Sequence, residues 1–262
     1  MSSDPSTLVY TANHEPVEIR AATVLPARRE NVELRTEDGQ TLVGEIALPA
    51  RGEPRATLVT LHPLPTHGGF MDSHVYKKAS YRLPALAGIA VLRFNLRGTS
   101  SPRGTSTGAF DGGDAERYDV EAATEWAMAQ GLPQRWLVGW SFGSELVLKY
   151  GAVPPVADRV EGGILLSPPL HRAGDADLDR WAASRKPLRV LVPEFDDYLR
   201  PEEAARRFAR VPQAELTGVD GAKHLWVGER FVQRALDEIA STVLGEPVRL
   251  PATWSGPTAK GS

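Results

Sequence analysis

The chain has 262 residues, 42% of them hydrophobic and 24% charged, with 30 Lys and Arg against 33 Asp and Glu for a formal charge of −3. Its basic residues are scattered, not gathered into a stripe, which excludes a typical nucleic-acid binder, and no apolar run approaches the roughly 20 residues that span a bilayer. With no cysteine at all, disulfides, thiolate metal sites and a thiol nucleophile drop out together, and the expected setting is a reducing, cytoplasmic one.

Residues 1–30 read as an N-terminal extension. The stretch from Met1 to Glu15 is polar, with neither a basic n-region nor an apolar h-region, so no export signal is read there. Asn31 to Thr36 alternates apolar and polar residues, Asp38-Gly39 makes a turn, and Thr41 to Leu48 runs on as strand, which predicts an opening β-hairpin. Ala56 to Leu61 is a continuous apolar run of β-formers, the pattern of a strand buried on both faces.

Helices and apolar strands then alternate. Helices are expected over Val75–Ala87, Ala115–Gln130, Phe142–Tyr150, Pro201–Arg210 and Gly228–Leu244, and strands over Ile89–Phe94, Arg135–Trp140, Gly163–Leu166, Leu188–Val192 and Ala214–Val219. A hairpin followed by such repeats implies one α/β domain over residues 31–246, with an eight-stranded, twisted, mostly parallel sheet and helices on both faces. Residues 247–262 read as a mobile tail, because Leu250 to Ser262 is rich in Pro, Gly, Ser and Thr without periodicity.

In a parallel sheet of this kind, ligands sit at the carboxyl ends of the strands. Gly139-Trp140-Ser141-Phe142-Gly143 fits G-x-S-x-G and falls between a strand pattern and a helix pattern, the context of a strained strand-to-helix turn that projects a nucleophilic serine. Serine is a poor nucleophile unaided, so a base and an orienting acid are required farther along the chain. His224 lies in the loop after the last strand and is the leading base; His14 falls in the N-terminal extension, His74 opens a helix, and His62, His67 and His171 lie near the active edge. Asp196 and Asp197 come just past the Leu188–Val192 strand, after Pro193-Glu194-Phe195, and either can supply the acid in the chain order Ser, Asp, His, with Glu194, nearer the strand body, the less favoured stand-in.

An oxyanion formed at Ser141 needs two donors. The amide of Phe142 follows the nucleophile, and the loop His62-Pro63-Leu64-Pro65 follows Ala56–Leu61. Its prolines have no amide hydrogen, so Leu64 is the second donor, biased by Pro65 towards an extended backbone. His62, Trp140 and His171 are candidate substrate contacts. The histidines show no metal-ligand spacing, and no metal or cofactor is expected.

Together these features resemble the α/β-hydrolase superfamily over about Asn31 to Leu244. The likeness is nearest to small bacterial hydrolases with little or no cap, in which a His-Pro loop followed by Gly-Gly and Met-Asp is matched by His62-Pro63 and Gly68-Gly69-Phe70-Met71-Asp72, and an R-F-N-x-R-G motif by Arg93 to Gly98. The resemblance implies a Ser141–Asp196–His224 triad, with Asp196 in the usual acid position, although Pro193 stands where relatives carry glycine. It also implies a structural role for Arg97. The expected activity is hydrolysis of a small or medium carboxylic ester by a monomer or homodimer. Thioester or amide hydrolysis and acyl transfer use the same machinery, and a non-catalytic binding protein on this fold is the alternative from another class.

Overall fold

The computed structural model describes residues 8–13 and 15–260, so His14 lies outside the described residues. Eight strands form the central sheet: β1 (Ala27–Arg35), β2 (Thr41–Pro49), β3 (Ala56–Leu61), β4 (Ile89–Phe94), β5 (Arg135–Trp140), β6 (Gly162–Leu166), β7 (Leu188–Phe195) and β8 (Ala214–Lys223). Their order across the sheet is β1-β2-β4-β3-β5-β6-β7-β8. β1 and β2 form the expected hairpin, turning at Gly39 with φ 85°, and β2 also runs antiparallel to β4, while every later pairing is parallel.

Six helices cover the sheet: α1 (His74–Ala87), α2 (Glu116–Ala129), α3 (Phe142–Tyr150), α4 (Asp175–Ser184), α5 (Pro201–Phe208) and α6 (Glu229–Leu244). Each predicted helix is present with ends shifted by a residue or two, and β7 and β8 extend beyond the apolar runs that announced them. The extension passes through a register shift: Pro193 pairs with Val219 and Phe195 with Lys223, while Glu194 and Asp220 fall at the irregularity and interrupt the apolar pattern.

Two cores result, one on each face. α1 and α6 bury Val75, Leu83, Val232 and Leu236 against the side chains of Leu58, Val91 and Val138. The other four helices bury Val120, Leu146, Trp181 and Phe208 against Val59, Leu92 and Leu137. Period-two alternation explains the split, because successive residues of one strand feed opposite faces.

Of the segment 247–262, expected from composition to be mobile, the described residues 247–260 are instead tied to the N-terminal extension. Thr253–Trp254 pairs antiparallel with Val17–Glu18, Ala259–Lys260 pairs with Thr23–Val24, and Thr11 and Thr258 exchange backbone hydrogen bonds of 2.7 and 2.9 Å. Two-residue strands leave no periodic signal, and the partners lie more than two hundred positions apart, so composition could not reveal them. Deleting residues 250–262 should lower the unfolding free energy by on the order of 2 kcal/mol, since buried Leu250 and Ala259 are lost from the surface of the domain. An unchanged urea midpoint in the truncated protein would show the segment to be energetically idle.

Candidate active site

β5 delivers Ser141 to a sharp turn at the carboxyl end of the sheet. The serine holds φ 53° and ψ −116°, a region unfavourable to any residue with a Cβ, and its amide donates to Leu166 O at the end of β6, 2.9 Å away. Two glycines make the turn possible. A Cβ on Gly139 would lie 2.3 Å from Gly143 O, and one on Gly143 would lie 1.9 Å from Leu61 O, so α3 rests directly on the end of β3.

The structure brings Ser141, His224 and Asp196 together. His224 Nε2 is 2.9 Å from Ser141 Oγ, and on the other side of the ring His224 Nδ1 lies 2.9 Å from Asp196 Oδ2 and 3.1 Å from Oδ1. This arrangement places the ring proton on Nδ1 and leaves Nε2 free to accept from the serine hydroxyl. Burial opposes ionisation of Asp196, but the hydrogen bond and charge of His224, together with the amides of Tyr198 and Leu199, outweigh it and hold the carboxyl below its usual pKa. Asp197 is exposed and makes no contact with His224.

The loop carrying His224 is anchored through its own backbone. His224 O accepts from Trp140 Nε1 at 3.2 Å and from Ser167 Oγ at 3.1 Å, and the buried Trp226 donates to Ser167 Oγ at 2.9 Å. Trp140 is therefore a strut, with His74 and Tyr76 edge-on to its buried ring, and not the substrate contact expected from sequence. Sequence reasoning overlooked Ser167, although its place directly after β6 satisfied the strand-end rule.

His62 is likewise unavailable to substrate. It is fully buried; Nδ1 donates to Pro63 O at 2.7 Å, and Nε2 accepts from the Leu96 amide at 3.0 Å. The peptide whose carbonyl it holds is the one whose N–H belongs to Leu64, so His62 orients that amide. Leu64 is extended at φ −54° and ψ 118°, as Pro65 dictates, and its amide has no acceptor among the described residues. Phe142 is the first residue of α3, where an amide has no carbonyl of its own helix to reach. His171 is exposed and reaches only the ring of Tyr198, which in turn packs edge-on against His224 with centroids 4.6 Å apart.

The R-F-N-L-R-G segment secures the same loop. Asn95 Oδ1 accepts from the Met71 amide at 3.0 Å, Arg93 binds both Asp72 and the buried Glu45, and Arg97 joins Asp38 to Asp119 with bonds of 2.8 to 3.2 Å. Tyr76 places its hydroxyl 3.0 Å from Leu61 O and 2.9 Å from Val138 O, clamping the ends of β3 and β5. Between β6 and β7 the only helix is α4, of ten residues, and the described residues include no helical lid there.

Residues 66–240 match the family described as the alpha/beta hydrolase fold. The structure is similar to that of a serine hydrolase without a lid from Xanthomonas campestris, with 28% identity over 85% of this chain and 94% of that one and a TM-score of 0.62. It is also similar to an alpha-beta serine hydrolase homologue from Coxiella burnetii, with 25% identity over 82% and 96% of the two chains and a TM-score of 0.65. An esterase from Pyrococcus furiosus, 19% identical over 85% of this chain and 94% of its own, shares the fold with a TM-score of 0.69. No curated protein matches the chain.

Burial pushes the His62 pKa down to about 4 against an ordinary value of 6.5, so the folded state binds fewer protons than the unfolded state between those values. The stability this confers is complete above pH 6.5 and is lost as pH falls towards 4. From this histidine alone, urea unfolding at pH 4.5 should give a free energy about 2 kcal/mol below that at pH 7. In His62→Asn that part of the pH dependence should vanish; an identical pH profile in both proteins would refute the assignment.

Proposed function

Because the chain belongs to the alpha/beta hydrolase fold family, we propose that it is a serine hydrolase that cleaves a small or medium carboxylic ester through an acyl-serine intermediate. One observation carries this reading: an unbroken hydrogen-bond chain runs from Ser141 Oγ through the two nitrogens of His224 to Asp196, each link 2.9 Å.

His224 takes the hydroxyl proton on Nε2 as Ser141 Oγ attacks the ester carbonyl. Asp196, held ionised, stabilises the imidazolium that forms. The developing oxyanion is received by the amides of Leu64 and Phe142, the latter adding the positive end of α3. These donors need no rearrangement, since His62 and the prolines preset one and the helix presets the other. Collapse of the tetrahedral intermediate breaks the bond to the alcohol oxygen, which leaves with the proton from His224 Nε2. Water then attacks the acyl carbon by the same steps and frees Ser141. The Xanthomonas relative, named a serine hydrolase without a lid, supports an open site of this class.

A fluorophosphonate probe should label the native protein and leave Ser141→Ala unlabelled; labelling that survives the substitution removes the nucleophile assignment, and a native protein that resists the probe favours a binding role. With a short-chain ester, Asp196→Asn should lower kcat about 10⁴-fold, whereas Asp197→Asn should stay within a few-fold of native. The opposite ranking would move the acid to Asp197.

A further inference from the structure

Among the described residues, six large hydrophobic side chains are exposed, and four of them lie beside the triad: Phe195 at 44%, Tyr198 at 54%, Leu225 at 55% and Val227 at 71% exposure. Phe195 and Tyr198 bracket Asp196, while Leu225 and Val227 follow His224. The other two, Val9 and Met128, sit elsewhere, the latter near the end of α2.

The local backbone forces these side chains outward. Asp196 and Leu199 turn into the protein, the first towards His224, which leaves Phe195 and Tyr198 at the surface. Trp226, with φ 53°, drives its indole inward to Ser167, so the residues on either side of it face solvent. Tyr198 lies between the rings of His171 and His224, at 5.3 and 4.6 Å. Four exposed apolar side chains gathered on the two segments that carry Asp196 and His224, with only Val9 and Met128 comparable among the described residues, mark a binding surface. Its place identifies the occupant, because the leaving oxygen of an ester must come within hydrogen-bond reach of His224 Nε2 to receive its proton. The group attached to that oxygen therefore emerges on the His224 side.

The opposite side of the site differs. There the loops that follow β3 and β4 form an open depression of about 390 Å³, lined by Pro65, Phe70, Thr99 and Phe110, and Phe110 packs against Phe142 at 5.3 Å. Pro65 follows Leu64 and Phe110 touches Phe142, so this depression lies beside both oxyanion donors and suits the acyl half.

We propose that Tyr198, Leu225 and Val227 form the leaving-group subsite and that the substrate is an ester of a short to medium acid with an apolar alcohol. The inference rests on the ester-hydrolase reading above. In the step concerned, the bond between Ser141 Oγ and the acyl carbon forms, the bond from that carbon to the alcohol oxygen breaks with its electron pair staying on oxygen, and His224 returns the proton.

The test uses ethyl, butyl and hexyl butanoate below their solubility limits. These share one acyl group, and their alcohols are nearly equally acidic, so the ratio of kcat/KM values isolates binding of the alcohol chain. Half-open burial should raise kcat/KM about twofold per methylene, giving a hexyl-to-ethyl ratio of roughly tenfold or more. The Leu225→Ser/Val227→Ser protein should bring that ratio below about threefold, Leu225→Met/Val227→Ile should retain it, and Met128→Ser, remote from the site, should leave it as in the native protein. A native ratio near one, or a ratio untouched by the serine substitutions, overturns the subsite. If fluorophosphonate still labels Ser141 in that case, only the subsite falls; a protein neither labelled nor active on any of the three esters overturns the hydrolase reading and the subsite with it.

Discussion

The arrangement of the site depends on a missing side chain at Gly143. Its α-carbon lies so close to the end of β3 that a Cβ would sit 1.9 Å from Leu61 O and 3.0 Å from His62 O. This contact joins the Ser141 turn to the loop beginning at His62. Without it, α3 would have to lift away, and the amides of Phe142 and Leu64 would separate. Gly139 meets the same demand from the strand side, and together the two glycines accommodate the unfavourable backbone of Ser141.

Once the turn is in place, the remaining polar groups near it hold loops. A buried polar group left without a partner costs about 1–3 kcal/mol, and His62 avoids that cost by filling both ring nitrogens from backbone. It is kept neutral by burial, and so fixes one peptide orientation. Arg93, Asn95 and Arg97 tie neighbouring segments together, Arg93 reaching Asp72 and Glu45 of β2, Asn95 the Met71 amide and Arg97 the Asp119 carboxylate on α2. The segment resembles a signature of chemistry, yet its hydrogen bonds hold Met71 and Asp72 of the loop that follows β3. On the other side, the carbonyl of His224 takes two donors, so its imidazole is located through the backbone as well as through Asp196.

The two halves of the site therefore differ in character. The side that carries Leu64 is cross-linked, whereas the His224 side carries exposed apolar side chains on short segments. A single inward residue, Trp226, produces much of that difference, because burying its indole turns both neighbours towards solvent.

The sequence by itself determined the order and type of the elements, since burial on one face of a helix or both faces of a strand imposes a period that can be read without coordinates. It also located Ser141, His224 and a pair of carboxylates at strand ends, and Leu64 by elimination of its proline neighbours. Only the tertiary structure decided which carboxylate faces His224, for Asp196 and Asp197 are adjacent and chemically identical, and the turn alone makes one buried and the other exposed. It also turned Trp140 and His62 from candidate substrate contacts into internal struts, because a side chain that follows a strand can point to ligand or to backbone, and its type does not say which. The pairing of the two chain ends was hidden for a related reason: its strands are two residues long, and their partners lie at the far end of the sequence. Local pattern records burial over a whole element, whereas these choices rest on single contacts between segments that meet only in the folded chain.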